Sequence, residues 1–444
     1  MITLSPEILT IILLAGIVVG ILIGFPLAIP IGAMTLIFGY LLLGNGIFEL
    51  MYSRAFRILN HYVLLAVPLF ILMGTVLEKA GLADRMYNAL YLWLGGLRGG
   101  LAIVTIVMGT VLAACVGVVG ASVTMLSLLA LNAMIKRGYD KSLASGVVCA
   151  AGTLGILIPP SVMLVVYGPM AGVSVGKLFF GAFTPGVILA TLYCAYVYIR
   201  CLKKPELAPV IPPAERAIPF IKKITILLSS LVPPVVLILS VLGTIFLGIA
   251  PPTEAAAVGG LVAMLLMVLY GKFSVVSLRS AALETLRASS MIFLIAAISF
   301  SFVGLFITAG CGKVVENLIL SAPGGRWGAF VVIMFIFFLL GFFMDWIGSF
   351  FIMVPIVAPI AYPLGFDPVW FGLMICLNQQ TSYMTPPFAP AIFYLRGAAS
   401  PELGITMADI IRGVVPFILI VIVMLGLCAI FPDIILWLPN LMIA

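Results

Sequence analysis

The chain has very little charge. Only 8% of its 444 residues are Asp, Glu, Lys or Arg, while 64% are hydrophobic. A water-soluble domain carries about 25% charged residues, so a soluble globular fold is excluded. Histidine is almost missing, with His61 alone. A single imidazole builds neither a multi-histidine metal centre nor a catalytic triad by itself. Paired cysteines are missing too. Cys115, Cys149, Cys194, Cys201, Cys311, Cys376 and Cys428 lie scattered in apolar runs with no CxxC spacing. They read as small core residues, neither disulfides nor metal ligands. An intramembrane enzyme needs a catalytic pair, and the chain offers one deep carboxylate, Asp345, far from its one histidine. No basic leader precedes the first apolar run, so no cleaved signal is expected.

What the chain has instead is long apolar segments, including Ile8–Phe25, Leu101–Val116, Phe183–Tyr198, Ile224–Ile249 and Gly413–Ile430. A bilayer crossing takes about 20 such residues, so a polytopic membrane protein is expected. The formal charge of +7 does not point to nucleic acid. Its basic residues sit in short connections, where they set orientation. The densest cluster is Arg200, Lys203, Lys204, Arg216, Lys222 and Lys223, interleaved with Pro205, Pro209, Pro212 and Pro213. It reads as a cytoplasmic linker.

The chain also contains itself twice. Gly138-Tyr139-Asp140, Cys149 and Pro159-Pro160 recur as Gly365-Phe366-Asp367, Cys376 and Pro386-Pro387, each shifted by 227 residues. Ala80-Gly81 and Asn88 recur as Ala309-Gly310 and Asn317 at a shift of 229, and Arg98, Gly100 and Gly120 as Arg326, Gly328 and Gly348 at 228. Such duplication with helix breakers at matching positions points to a secondary transporter whose site lies between the repeats. Lys136, Arg137 and Lys141 flank the first Gly-aromatic-Asp turn, whereas Leu364–Pro368 has no basic residue. That asymmetry is what inverted topology predicts.

Each repeat reads in the same order. Two spans come first (Ile8–Leu43; Ile224–Tyr270). A connector, a third span (Tyr62–Leu77; Ala288–Thr308) and a polar, glycine-containing segment (Glu78–Gly100; Ala309–Gly325) follow. Next comes a broken region (Gly117–Ser122; Asp345–Ser349), then a stretch too short to cross (Val123–Ile135; Phe350–Pro363). These suit re-entrant hairpin arms. A broken span (Ala151–Ser161; Asn378–Pro387) and a closing span end each unit.

The breaks carry the chemistry. Prolines at Pro159, Pro160, Pro386 and Pro387 free backbone carbonyls, and at membrane depth such backbone is tolerated only where it lines a cavity or is covered. Freed carbonyls and the hydroxyls of Thr153, Thr381, Ser382 and Thr385 are hard ligands suited to Na⁺, while half-helix N-termini suit a carboxylate. Asp345 has three readings: Na⁺ ligand, proton carrier or helix cap. Ser122 and Ser349 also read as caps. Thr253 fits an N-cap with Glu254 in the first turn. Arg396 reads either as a carboxylate anchor or as an interfacial side chain.

Together Gly248–Ala257, Arg137–Asp140 with Ala151–Ser161, Met344-Asp345 with Pro355 and Pro359, and Thr385–Pro387 resemble the large membrane subunit of the tripartite ATP-independent periplasmic (TRAP) transporters. The resemblance spans essentially the whole chain. It implies a multi-pass importer of the bacterial inner membrane, driven by Na⁺ and free of organic cofactors. It implies partnership with a small four-helix membrane subunit and a periplasmic substrate-binding protein that delivers a carboxylate: a C4-dicarboxylate, a 2-oxo acid or another organic acid. It also implies an elevator motion. On this resemblance, one Na⁺ site falls at Gly117, Gly120, Ser122, Thr153 and Gly155, and a second at Asp345, Gly348, Ser349, Gln380 and Thr385. The solute falls near Thr153, Gln379, Gln380, Ser382 and Arg396. Many members carry a Ser-Gly-Ser-type first tip, and this chain has Gly117–Ser122 with fewer hydroxyls, leaving more of the ligation to carbonyls.

The expected fold is therefore all-α and polytopic, with two inverted repeats, re-entrant hairpins and broken helices. Residues 1–199 form the first repeat: scaffold spans 1–100, hairpin and broken helix 101–170, closing span 181–199. Residues 200–223 are the basic linker, and 224–444 the second repeat: scaffold spans 224–325, hairpin and broken helix 327–396, closing span 413–431. The rival reading is a stand-alone Na⁺- or H⁺-coupled organic anion symporter, which would need no binding protein.

Overall fold

A computed structural model describes residues 5–210, 212 and 218–442. Pro213 and Arg216 of the predicted linker lie outside the described residues. Among those described there is helix and no strand, as expected where every backbone group needs an internal partner.

The first unit contains α1 (Pro6–Leu22), α2 (Ala28–Leu43), α3 (Gly46–Leu59), α4 (Tyr62–Lys79), α5 (Leu82–Leu94), α6 (Gly100–Val116), α7 (Val119–Lys136), α8 (Lys141–Ile156), α9 (Val162–Ala171) and α10 (Val175–Lys203). The second contains α11 (Phe220–Phe246), α12 (Pro252–Leu269), α13 (Val275–Thr308), α14 (Cys311–Leu320), α15 (Gly325–Leu340), α16 (Trp346–Ala361), α17 (Pro368–Met384), α18 (Pro390–Ala398), α19 (Met407–Ile430) and α20 (Asp433–Asn440). Helix by helix, α5 to α10 correspond to α14 to α19. The outer parts differ. In the first unit the chain bends at Asn60 and His61 between α3 and α4, whereas α13 runs unbroken for 34 residues.

Several boundaries differ from the sequence reading. The polar segments 78–100 and 309–325 contain the amphipathic helices α5 and α14, set between Gly81 and Gly95 and after Gly310. The closing helices are longer than 181–199 or start earlier than 413. Thr253 is not an N-cap. Pro251 holds that position, and Thr253 donates instead to the Tyr62 carbonyl at 3.4 Å. Glu254 does stand in the first turn, where it also accepts from the Tyr62 hydroxyl.

The two Gly-aromatic-Asp turns do the same job. Asp140 caps α8 by accepting from the Leu143 amide at 2.8 Å, and Asp367 caps α17 by accepting from Val369 at 2.8 Å and Trp370 at 3.0 Å. The second turn lacks a basic residue in sequence but has one in space. The Arg326 guanidinium lies 5.8 Å from the Phe366 ring centre.

The inner helices interlock across the repeats. α6 and α7 form one hairpin and α15 and α16 the other. α9 packs on α16, and α18 packs on α7, so each broken helix's second half covers the other repeat's hairpin. α8 meets the closing helix α19 at backbone distance. A Cβ on Gly146 would lie 2.1 Å from the Gly413 carbonyl oxygen, and one on Gly413 would lie 2.0 Å from that of Ser142. Around this block sit α1 to α5 and α11 to α14, with α4 against α12 and α13 against α2, α3 and α4.

Gly146→Val should force α8 and α19 apart and cost on the order of 3 kcal/mol or more. Fluorescence-detected size exclusion after heating will show it as a lower unfolding temperature, whereas Gly426→Val, where a Cβ meets nothing, should behave as wild type.

Candidate functional site

The two helix breaks meet at the centre of the interlocked block. α8 stays helical to Thr153, tightens through Leu154–Ile156 and opens at Leu157–Ser161. α17 stays helical to Met384 and opens at Thr385–Ala389. The unwound part is thus shorter than 378–387, and Gln379, Gln380 and Ser382 project from intact helix. α17 runs to within two residues of Pro386, because a proline restricts the residue preceding it and not those a turn earlier. Both diproline bonds, Pro159–Pro160 and Pro386–Pro387, are cis.

Thr153 and Gln380 are repeat equivalents, 227 residues apart, and they touch. Gln380 Nε2 donates to Thr153 Oγ1 at 3.3 Å and to the Tyr193 hydroxyl of α10 at 3.4 Å. Residues related by duplication can meet only near the axis relating the two copies, so this contact marks the pseudo-symmetry axis. Thr153, Gln379 and Gln380 are all 0% exposed. Thr153 also donates to the Ala150 carbonyl at 2.9 Å.

The first hairpin tip rests on the first break. Gly117 ends α6 with φ +65°, a conformation that favours glycine, and a Cβ there would lie 3.3 Å from the Pro160 carbonyl oxygen. Ser122 is not a cap. Val118 precedes α7, and Ser122 Oγ is buried, 3.8 Å from where a Cβ on Gly155 would lie. Gly120 faces the other way, against the Tyr394 ring. The last carbonyls of α6 have no helical donors ahead of them, so this tip gathers acceptor oxygens.

At the second tip Asp345 occupies the N-cap position of α16 but makes no side-chain cap bond. Its carboxylate accepts from the Tyr383 hydroxyl, which ties the tip to the last turn of α17. Ser349 is not a cap either, as its hydroxyl donates to the Asp345 carbonyl at 3.4 Å. Gly348 faces Leu27 in the α1–α2 connection, and Thr385 Oγ1 donates to the Thr381 carbonyl at 2.7 Å. Among the five residues of the second predicted Na⁺ site, Ser349 contacts Asp345, Thr385 bonds back to its own helix and Gln380 bonds to the other repeat. Asp345 sits with Tyr383, and Gln380 sits at the axis.

The remaining polar face of α17 addresses α15. Asn378 Nδ2 donates to the Met334 carbonyl at 2.7 Å and Ser382 Oγ to that of Phe338 at 3.3 Å, while Gln379 lies beside Gly341. Gln379 Nε2 and Oε1, Gln380 Oε1 and Ser122 Oγ are buried without a hydrogen-bond partner among the described residues. Buried polar atoms are rarely left so, and these surround the breaks. Arg396 stands apart. It is exposed at the end of α18, and its Nη1 donates to the Ile405 carbonyl at 2.6 Å.

Four tyrosines escaped the sequence reading. Tyr193 and Tyr383 contact the axis and the second tip. Tyr167 packs on Phe350 of the second hairpin with ring centres 6.0 Å apart, and Tyr394 on Gly120 of the first. Tyr167 and Tyr394 are themselves 227 residues apart, so the duplication that exposed the breaks held the signal for this pair as well.

Two interlocked hairpins around paired broken helices define a membrane transporter rather than an enzyme or a fixed pore. The comparisons agree. The chain belongs to the family described as the tripartite ATP-independent periplasmic transporter, DctM component, which it matches over residues 14–434. It is 31% identical over 389 residues to the C4-dicarboxylate TRAP transporter large permease protein DctM of Pseudomonas aeruginosa, covering 87% of this chain and 88% of that one. It is 28% identical over 435 residues to the ectoine TRAP transporter large permease protein TeaC of Halomonas elongata, covering 98% and 99%. Its fold is similar to the crystal structure of the Alcanivorax borkumensis YdaH transporter, with TM-score 0.57, 15% identity and 89% of each chain covered. The protein is thus a large permease subunit of a tripartite system and a multi-pass inner-membrane protein.

The Thr153–Gln380 contact should couple the repeats. In a double-mutant cycle on thermal unfolding, Thr153→Val and Gln380→Leu are each expected to destabilise, with a coupling of about 0.5–1.5 kcal/mol. Additive effects would mean that the contact contributes nothing.

Proposed function

We propose that this subunit moves a small carboxylate across the inner membrane together with Na⁺, receiving the solute from a periplasmic binding protein and working beside a small four-helix membrane subunit. The observation that carries the reading is the meeting of two broken helices at the pseudo-axis with unpartnered buried polar atoms around them. Supporting the solute class, the relatives named above carry C4-dicarboxylates and ectoine, both small carboxylated molecules.

Na⁺ enters this reading as cargo. The donor set suits it, because it is made of hard oxygens. On the first side these are Ser122, Thr153 and carbonyls near Gly117, Gly120 and Gly155. On the second they are Asp345 with Ser349, Thr385 and carbonyls near Gly348, with Gln380 between the two. The N-terminal ends of α9 and α18 supply positive potential for a carboxylate, and Gln379, Gln380, Ser382 and Thr153 supply neutral hydrogen bonds for its orientation. Arg396, exposed at the end of α18 with its Nη1 on the Ile405 carbonyl, is left out of this pocket.

The motion we propose is an elevator. Segments 101–170 and 327–396, already joined across the repeats by α9 on α16 and α18 on α7, move as one body against scaffold spans 1–100 and 224–325. The inverted arrangement, with the basic linker 200–223 in the cytoplasm, exposes each hairpin to one side in turn. One net positive charge crossing a 100 mV potential supplies about 2.3 kcal/mol, so the potential favours anion entry when the coupled Na⁺ ions outnumber the anion's own charges.

Asp345→Asn should insert normally yet lose Na⁺-driven uptake roughly ten-fold or more, as expected when a charged ligand is removed. Unchanged Na⁺ dependence would remove Asp345 from the site. Replacing Pro386 and Pro387 by alanine should extend α17 and abolish uptake. The deciding assay is proteoliposome uptake of radiolabelled carboxylates under an inward Na⁺ or H⁺ gradient, with and without binding protein. Uptake needing both Na⁺ and the binding protein is expected. Uptake without the binding protein would make the chain a stand-alone symporter.

A further inference from the structure

α10 is 29 residues long, or about 44 Å at ~1.5 Å per residue, so its last turns emerge from a hydrocarbon core of about 30 Å. Its two faces differ there. Tyr193, Val197 and Cys201 are buried against the bundle. Tyr196, Ile199, Arg200 and Lys203 follow the i, i+3, i+4, i+7 spacing of a single outer stripe, and with Lys204 they line a cavity of 370 Å³. No carboxylate is among these lining residues.

The stripe has a polar end and an apolar one. Ile199 is 52% exposed, and Tyr198 and Leu202 beside it are also open to the surroundings. Arg200 is held in place by Tyr196. Its guanidinium carbon lies 5.7 Å from the ring centre, and Nη1 donates to the Tyr196 hydroxyl. A guanidinium fixed in this way keeps further N–H groups for a second acceptor and loses little freedom when it binds one.

More positive charge gathers at the same end. The Asp140 amide donates to the Leu207 carbonyl at 2.9 Å, which ties the first Gly-aromatic-Asp turn to the segment following α10. Lys136, Arg137 and Lys141 come with that turn. Lys141 donates to the Gly404 carbonyl, and Arg137 lies over the Tyr91 ring, so they add field to the cavity rather than contacts.

We propose that this face of α10 binds the phosphate headgroup of an anionic phospholipid. Arg200, Lys203 and Lys204 take the phosphate, while the acyl chains lie along Tyr198, Ile199 and Leu202. The choice of a lipid over a soluble phosphate rests on the exposed apolar residues directly beside the cations, a pairing that a free anion would not use. The site is independent of the solute and ion readings above.

The test uses the full chain in detergent, with phosphatidylglycerol, phosphatidylcholine or inorganic phosphate added at matched concentration. Bound lipid is read by native mass spectrometry, and stabilisation by thermal unfolding. Phosphatidylglycerol is expected to remain bound and to raise the unfolding temperature, while the other two do neither. Lys203→Gln with Lys204→Gln, both exposed, should weaken phosphatidylglycerol roughly 30-fold, and Lys222→Gln with Lys223→Gln should leave it close to wild type. Equal binding of phosphatidylcholine, equal stabilisation by inorganic phosphate, or undiminished binding in the Lys203/Lys204 variant would each overturn the proposal.

Discussion

The architecture depends on one constraint: a helix that stops inside a membrane leaves backbone groups with no partner, and lipid supplies none. This chain stops two helices at depth and covers both interruptions with protein. The first hairpin lies over the first break, with Gly117 beside the Pro160 carbonyl. The second is tied to its own break by Asp345 and Tyr383. Each hairpin is then backed by the far half of the other repeat's broken helix. Each interruption is thus covered by its own repeat's hairpin and each hairpin by the other repeat, which is why the two copies interlock instead of merely abutting.

The same constraint puts the polar chemistry on the axis. An amide such as Gln380 is costly in an apolar interior unless it is bonded, and its partners here are the matching position of the other copy and a closing-helix tyrosine. The two copies carry different residue types at this point, Thr153 and Gln380. A short hydroxyl and a longer amide reach across the axis, whereas two identical side chains would face each other as like groups.

Much of this was legible in the residues. Glycines, prolines and the capping aspartates keep their places in both copies because backbone geometry admits few alternatives there. The location of the breaks was therefore readable, but their extent was not. Asn378, Thr381 and Ser382 look like helix-disrupting polar residues in sequence. In the fold they donate to the Met334, Asn378 and Phe338 carbonyls and keep α17 helical. The serines at the tips looked like caps because capping is a local property, yet neither caps. Tyr193 and Tyr383 were invisible for the opposite reason. In a chain this apolar an aromatic residue is ordinary filler, and only tertiary contact distinguishes one whose hydroxyl is in use.

The unbroken α13 has a mechanical consequence. At 34 residues it is about 51 Å long, against a hydrocarbon core of about 30 Å. Its apolar span, Ala288–Thr308, is about 31 Å of that length and fits the core, while its first half carries Arg279, Glu284 and Arg287 and continues the span rigidly beyond it. The rod touches α2, α3 and α4 on one side and the hairpin arm α16 on the other. Its partner segment, jointed at Asn60 and His61, can fold flat where α13 cannot. A change of bilayer thickness that tilts such a span would swing the charged half of α13 with it, while the joint at Asn60 and His61 spares α3, so the lipid environment bears unequally on the two copies.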